Sequence, residues 1–248
     1  MQRSINSLTG YDMGALDGEI GKVVDFYFDD RAWVIRYLIV KTGSWLFGRK
    51  VLISPSALLK AAWTPGTFPI DITKEQISNS PNIDTDKPVS RQQEIAMYGH
   101  YPWQPYWGSG FYAGGLFDAA TIAPVIDEQV INVADSHGNT AAEDPHLRST
   151  RELIGYGIEA IDGDIGHLSD FIIEDRTWKL VYFVADTHKW FGGKKVLIDV
   201  HHIKKVEWDK SRIFVDTTVE SIKSRKEINI SEFINPADAN TTYDNSRI

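Results

Sequence analysis

The sequence predicts an all-β protein: two small barrels of about six strands in tandem, a short helix after each barrel, and an irregular linker between them. The main observation is a duplicated segment, because "DGEIGKVVDFYFDDRAW" (17–33) returns 145 positions later as "DGDIGHLSDFIIEDRTW" (162–178). Without a gap, residues 10–80 align with residues 155–225 at 26 identities in 71 positions. About 4 identities would arise by chance at ordinary residue frequencies. The chain is therefore a tandem duplication.

Within each copy, runs of β-branched and aromatic residues alternate with turn residues. "EIGKVVDFYF" and "AWVIRYLIV" flank the turn "DDR", and the second copy repeats this hairpin around "EDR". Three shorter runs follow in each copy, beginning with the shared "KVLI". Many short strands in one small segment favour a closed barrel, because closure removes exposed sheet edges. Thr73 and Thr218 precede the last segment of each copy as N-cap residues and predict the two short helices.

Both faces of the strand "WVIRYLIV" are apolar, yet the interior of a small barrel covers only one of them. We expect the outer faces of the two barrels to pack against each other, as a pseudo-dimer within one chain. The aromatic residues that we expect at this inter-barrel contact are Trp45, Trp190, Tyr37 and Tyr182.

Charge and composition predict four segments: a first barrel (1–80), an aromatic and acidic linker (81–152), a second barrel (153–225) and a polar C-terminal tail (226–248). Most of the net charge of −8 lies outside the two repeats. Residues 10–80 hold 8 basic and 8 acidic side chains, whereas residues 81–154 hold 4 and 10. A nucleic-acid partner is not expected, since binding phosphates requires a basic patch.

The linker contains a dense aromatic stretch interrupted by Pro102, Pro105 and several glycines. Two interpretations remain open for its rings. They dock on a barrel, which we favour because exposed rings promote aggregation, or they bind a protein partner. The candidate partner-binding residues are Tyr98, Tyr101, Trp103, Tyr106 and Trp107.

The recurring carboxylates are the candidates for catalysis, and we expect structural roles for them. Asp17, Asp25, Asp30 and Asp71 all have a counterpart in the second copy, and each stands beside a turn or a strand end. His201 and His202 are adjacent and point in opposite directions on a strand, so they do not predict a metal site. No catalytic residue, cofactor site or metal site is predicted, and no nucleophile elbow or phosphate-binding loop occurs.

No apolar run reaches the length of about 20 residues that a transmembrane helix needs. The N-terminus has no apolar signal core, so the expected location is the cytoplasm. Peripheral association with a membrane surface stays open.

The combination "GYxxxAxDGxIGxxxDFxxxDRxWxxxY…W…GxKVLI" resembles the PRC-barrel family. That family is named for the cytoplasmic β-barrel of the photosynthetic reaction-centre H subunit, and the bacterial ribosome-maturation factor RimM ends in a similar barrel. The chain is similar to bacterial proteins with two such barrels, also in "SPNIDTDKPVSRQQE" (80–94) and "DPHLRSTRELIGYGIEA" (144–160). The resemblance implies the fold more strongly than the function.

The leading hypothesis is a non-catalytic binding or scaffold protein that mediates protein–protein interaction or complex assembly. Its protein partner is not identified, and homo-oligomerisation stays open. One alternative is a small-ligand binder or enzyme with a site between the barrels. Another, implied by the resemblance alone, is H-subunit-like support of photosynthetic electron transfer at the membrane surface.

Overall fold

A computed structural model describes residues 1–59, 66–82, 89, 91–101, 103, 106, 147–187 and 192–234. This part of the chain consists mainly of β-strands with a few short helices, which confirms the predicted all-β fold. None of the helices within these ranges is both long enough and apolar enough to cross a bilayer.

The strands and helices follow the duplication. The first half contains β1 (Gln2–Ser4), α1 (Ile5–Leu8), β2 (Asp12–Ala15), β3 (Gly18–Asp29), β4 (Val34–Thr42), β5 (Lys50–Ile53), β6 (Thr67–Pro69), α2 (Lys74–Ser78) and α3 (Arg91–His100). The second half contains β7 (Leu147–Ser149), α4 (Thr150–Leu153), β8 (Gly157–Ala160), β9 (Gly163–Glu174), β10 (Lys179–Thr187), β11 (Lys195–Asp199), β12 (Ile203–Glu207), β13 (Arg212–Val215) and α5 (Val219–Lys223). Short 3-10 helices occupy several of the connections.

The strands of both repeats belong to one 13-stranded sheet, whose main path runs β12-β13-β8-β9-β10-β4-β3-β2-β6. The repeats meet where β10 pairs with β4. Here the Ile35 N–H donates to the Trp178 carbonyl, and the Leu180 N–H donates to the Trp33 carbonyl, both at 2.8 Å. Ile35 and Leu180 are equivalent positions of the two repeats, and so are Trp33 and Trp178. Exchanging the repeats therefore turns one bond into the other, so an approximate two-fold axis relates them.

The turns that lead into β4 and β10 place these carbonyl groups. Trp33 and Trp178 adopt left-handed backbone conformations, with φ of 54° and 59°, which are uncommon for bulky residues. Each is held by an N–H bond of 2.8 Å to the carbonyl four residues earlier, that of Asp29 or Glu174. The strained turn directs each tryptophan carbonyl towards the sister strand.

Aromatic rings fill the seam between the repeats. The Trp33 ring lies 5.2 Å from that of Phe183, and Phe28 lies 6.1 Å from Phe171. On the other side of the axis, the ring of Trp178 lies 6.3 Å from that of Phe26. Aromatic side chains of the two repeats therefore pack against each other and join the repeats in one continuous core.

The segment that precedes each repeat pairs with the other repeat. Strand β1 lies antiparallel to β9, with Ser4 opposite Ile172. Strand β7 lies antiparallel to β3, with Ser149 opposite Tyr27. We call residues 2–8 and 147–153 the exchanged arms. Because each arm lies on the sister repeat, neither repeat is complete without the other half of the chain.

One aspartate on each repeat, half-buried at Asp25 and buried at Asp170, fixes the arm of the sister repeat. The Ser4 hydroxyl donates to Asp170 Oδ2 at 2.5 Å, and the Ser149 hydroxyl donates to Asp25 Oδ2 at the same distance. Both serines also cap the helical turn that follows them, accepting a hydrogen bond from the N–H three residues later. One side chain thus begins the helix and binds the sister repeat.

Ion pairs repeat the same exchange at the outer end of each arm. Arg3 Nε lies 3.0 Å from Asp175 Oδ2, and Arg148 Nε lies 3.6 Å from Asp30 Oδ2. All four side chains are largely shielded from solvent. The carboxylates of the duplicated motif therefore hold the two repeats together.

The short helices after the barrels are confirmed at α2 and α5. The Thr73 hydroxyl accepts from the Gln76 N–H and completes a capping box, and Thr218 caps α5 through the Ser221 N–H. The helix α3 was not predicted, and it lies at the start of the segment expected to be irregular. An isolated bridge pairs Val89 with Leu147, so the start and the end of the linker meet.

We expect Trp178→Ala to lower the free energy of unfolding by about 3–5 kcal/mol, because it removes a buried ring from the seam and leaves a cavity. Trp33→Ala should cost less, since Trp33 is only half-buried. Urea denaturation of both variants measures the effect. Losses below about 1 kcal/mol for both would show that the seam contributes little.

A double-mutant cycle between Ser4→Ala and Asp170→Ala should give a coupling energy of about 1–2 kcal/mol, because the two side chains share a buried hydrogen bond. The matched control pairs Asp170→Ala with Ser149→Ala, which lies on the other arm and should show almost no coupling. Equal coupling in the two cycles would contradict the observed exchange.

Candidate functional site

The helix α3 and the residues after it form a cap on the first barrel. Glu94 and Met97 are buried in its contact face, and the ring nitrogen Nε2 of His100 lies 2.7 Å from the Gln76 carbonyl in the middle of α2. Pro102 follows two residues after the helix, where it cannot donate a helical hydrogen bond. We call α3 together with Tyr101, Trp103 and Tyr106 the aromatic cap.

A buried carboxylate holds the aromatic cap in place. Glu94 is fully buried, and its Oε1 accepts hydrogen bonds from the hydroxyl groups of Tyr37 in β4 (3.1 Å) and Tyr106 (2.8 Å). Burial, followed by the nearby Glu94 charge, raises the pKa of Tyr37 far above its usual range. Tyr37 therefore remains a neutral donor to the carboxylate.

A cation completes this cluster from the barrel side. The guanidinium carbon of Arg36 lies 3.6 Å from the centre of the Tyr106 ring, and Arg36 Nη2 lies 3.4 Å from Asp29 Oδ2. A guanidinium above a ring is attracted by the negative face of the π system. The second repeat has Val181 where the first has Arg36, so it cannot form the same contact.

The rings after α3 pack against one another. Tyr101 stacks on Trp103 with centroids 4.0 Å apart, and Tyr98 meets Trp103 edge-on at 6.2 Å. Tyr101 and Trp103 are buried, whereas Tyr98 and Tyr106 are half-buried. Four of the five candidate partner-binding residues thus lie in the aromatic cap, and Trp107 lies outside the described residues.

The candidate inter-barrel residues have different surroundings. Tyr37 faces the aromatic cap, and Tyr182 is half-buried in β10. The indole N–H of Trp45 donates to the Ile20 carbonyl at 2.7 Å, and Lys74 Nζ lies 4.7 Å from its ring centre, both within the first repeat. Trp190 lies outside the described residues.

Trp33 and Trp178 form the seam, but they were not among the residues that the sequence predicted for the inter-barrel contact. The exchanged arms were not predicted either. A signal for the arms is present: "RS" occurs at 3–4 and again at 148–149, which extends the repeat upstream of its apparent start. Leu8 and Leu153 also match, but three residues are too few to be recognised without knowing that these arms pair with the sister repeats.

The carboxylates of the repeat occupy structural positions. Asp17 and Asp162 accept hydrogen bonds from the first N–H groups of α2 and α5, at 2.8 Å and 2.7 Å. Asp216 lies 2.8 Å from both His202 Nδ1 and Lys204 Nζ. These interactions lower the pKa of Asp216, mainly through the bonds from Lys204 and His202. The described ranges contain no group of three or more His, Asp or Glu residues that could hold a metal ion.

Among the carboxylates that the structure describes, Asp25 and Asp170 are the two whose pKa is raised, and burial is the main cause in each case. Hydrogen bonds from the exchanged arms oppose this effect. For Asp25 the donors include Ser149 and the Arg151 N–H, and for Asp170 they include Ser4. The arms supply the donors that these carboxylates need when they are removed from water.

The described structure defines a class of protein, in which one small β-barrel is duplicated and closed into a pseudo-dimer by exchanged arms. The chain belongs to the PRC-barrel family: the model for the PRC-barrel domain matches residues 8–77 and 146–222. The resemblance found in the sequence is thereby confirmed, and each repeat is a PRC-barrel domain. A comparison with the curated proteins finds no match.

We expect the raised pKa values of Asp25 and Asp170 to make stability depend on pH. Their folded-state pKa values exceed the ordinary value of 3.8, so the folded state binds these protons more tightly than the unfolded state. Relative to the variant with both Asp25→Asn and Asp170→Asn, the wild type should lose stability as pH rises through the folded pKa values. Below pH 3.8 the difference should be constant.

Urea denaturation over a pH series measures this difference, and the single variants serve if the double variant does not fold. Asp216→Asn is the control, because a lowered pKa gives the opposite sign. Its stability relative to the wild type should change only as pH falls below 3.8. A pH-independent difference for Asp25 and Asp170 would contradict the raised pKa values.

Proposed function

We propose that this protein is a non-catalytic scaffold of the bacterial cytoplasm, which uses its paired PRC-barrels to assemble a protein complex. The observation that carries the proposal is the aromatic cap. It is anchored through buried Glu94, and its helix presents a large apolar side chain, Ile95, to solvent at 54% exposure. An exposed apolar side chain such as Ile95, on a helix that is anchored to the barrel, is suited to binding a protein partner.

The pseudo-dimer supports this function because it is a rigid base for the aromatic cap. The two repeats share one sheet and exchange their arms, so the position of one barrel is coupled to that of the other. A preorganised surface loses little conformational entropy when it binds. A partner on the aromatic cap would therefore meet a fixed surface.

The composition of the aromatic cap also supports a protein partner. Tyr98 and Tyr106 are half-buried and keep part of their rings accessible beside Ile95. Tyrosine is enriched in protein interfaces because it combines apolar area with a polar group and few rotatable bonds. The Arg36 contact to Tyr106 holds one of these rings in a fixed orientation.

The test is capture of partners from a native lysate by the wild type and by Ile95→Lys, quantified for each captured protein. We expect Ile95→Lys to reduce specific partners by at least about tenfold, because it places a charge in an apolar contact. A control variant, Ile161→Lys, alters a similarly exposed side chain on the second repeat (72% exposed) and should retain them.

A partner that passes this comparison is then purified, and its Kd is measured against both variants. Deletion of residues 95–115 should abolish its binding. Capture that is unchanged in Ile95→Lys and in the deletion variant would refute the role of the aromatic cap.

A further inference from the structure

Three lysines stand directly beside one another on the surface of the first barrel. In the sheet register, Lys22 of β3 is paired with Lys41 of β4, and Lys41 is paired with Lys50 of β5. All three are exposed, and neighbouring strands are about 4.8 Å apart. We call these residues the lysine row.

Like charges that face each other across strands destabilise a sheet, so the lysine row has a cost in folding. The ion pair between Lys22 Nζ and Asp12 Oδ1, at 2.5 Å, offsets part of this cost. The second repeat avoids the cost. Its corresponding side chains are His167, Asp186 and Lys195, so an acid stands between the other two. The fold therefore does not require three cations at these positions.

A second costly feature lies on the same hairpin. Phe47, in the turn between β4 and β5, is 97% exposed and has a left-handed backbone with φ of 54°. Such a conformation favours glycine, and the second repeat has Gly192 at the matching position. An exposed phenylalanine in this backbone is explained by neither folding nor the repeat pattern.

The lysine row and Phe47 lie at one end of the barrel. Lys41 and Lys50 pair near the end of the β4–β5 hairpin. In the turn beyond them, the Gly48 N–H donates to the Gly43 carbonyl at 3.1 Å, and this bond closes the loop that carries Phe47. The neighbouring turn between β2 and β3 carries Leu16, which is 64% exposed. The two turns are linked through the Gly43 N–H, which donates to the Ile20 carbonyl at 2.9 Å.

We propose that this end of the first barrel is a docking site for an anionic lipid surface. Phe47 and Leu16 would enter the boundary between headgroups and acyl chains, and the lysine row would bind the lipid phosphates. The site is separate from the aromatic cap and does not depend on the protein partner proposed above.

The chemistry of the protruding side chains favours lipid over nucleic acid. An aromatic ring beside lysines could stack on a base, but Leu16 is aliphatic and has no π face for stacking. Transfer of both Leu16 and Phe47 from water to hydrocarbon is favourable. Charge complementarity then selects an anionic membrane, because each lysine near such a surface is attracted to it.

The experiment is co-sedimentation with vesicles made of equal parts phosphatidylglycerol and phosphatidylcholine, compared with phosphatidylcholine alone. The wild type should bind the mixed vesicles and not the neutral ones, and binding should weaken as salt is raised. Phe47→Gly should weaken binding about tenfold. Lys41→Asp changes two unit charges and should weaken it about 25-fold, at about fivefold per charge.

Both variants carry the residue that the second repeat has at the same position, so both should fold, and an unchanged Tm would establish this. Lys226→Asp makes the same charge change at an exposed residue outside the first barrel and should bind as the wild type does. The proposal is overturned if the wild type binds neither vesicle or both equally, or if Phe47→Gly and Lys41→Asp bind normally. Tighter binding to single-stranded DNA, with the same dependence on both variants, would instead assign the surface to nucleic acid.

Discussion

The architecture depends on the pair of backbone hydrogen bonds that Trp33 and Trp178 accept across the two-fold axis. These two bonds alone would contribute only about 1 kcal/mol each. They matter because they set the register of β4 against β10, and that register brings aromatic side chains of the two repeats together. Burial of the Trp33 and Trp178 rings against Phe183 and Phe26 then supplies the larger share of the free energy. The strained turns are tolerated because both the backbone and the ring of each tryptophan have partners.

Because of the exchanged arms, the linker does not determine where the second repeat lies. The second repeat begins with β7, which lies on the first repeat, and Val89 pairs with Leu147 just before it. Residues 90–146 therefore leave and return at neighbouring points, and they do not have to span the distance between two barrels. Loop-closure entropy grows slowly with length, so such an insertion is tolerated by the fold. The position of the second repeat is set by the sheet and the arms.

Features determined by local sequence could be predicted, and those that depend on distant partners could not. The hairpins and the caps at Thr73 and Thr218 follow from residues within a few positions. The motif carboxylates were visible, but Asp25 binds Ser149, which is 124 positions away in sequence, and no local pattern indicates that partner. Trp33 and Trp45 both recur in the second repeat, at Trp178 and Trp190. Only the pairing of β4 with β10 shows that Trp33 is the one that reaches the sister repeat. The lysine row is likewise invisible until β3, β4 and β5 are aligned.

In a duplicated chain, comparing equivalent positions of the two repeats shows which residues the fold requires. Some positions that are the same in both repeats, such as Asp25 and Asp170, hold the arm of the sister repeat. Where the repeats differ, the fold accommodates either residue. The first repeat has Lys41 where the second has Asp186, and the fold is the same around both. Some residues lower the stability of one repeat, while the other repeat has a less destabilising residue at the same position. Such a residue is therefore better explained by binding than by folding.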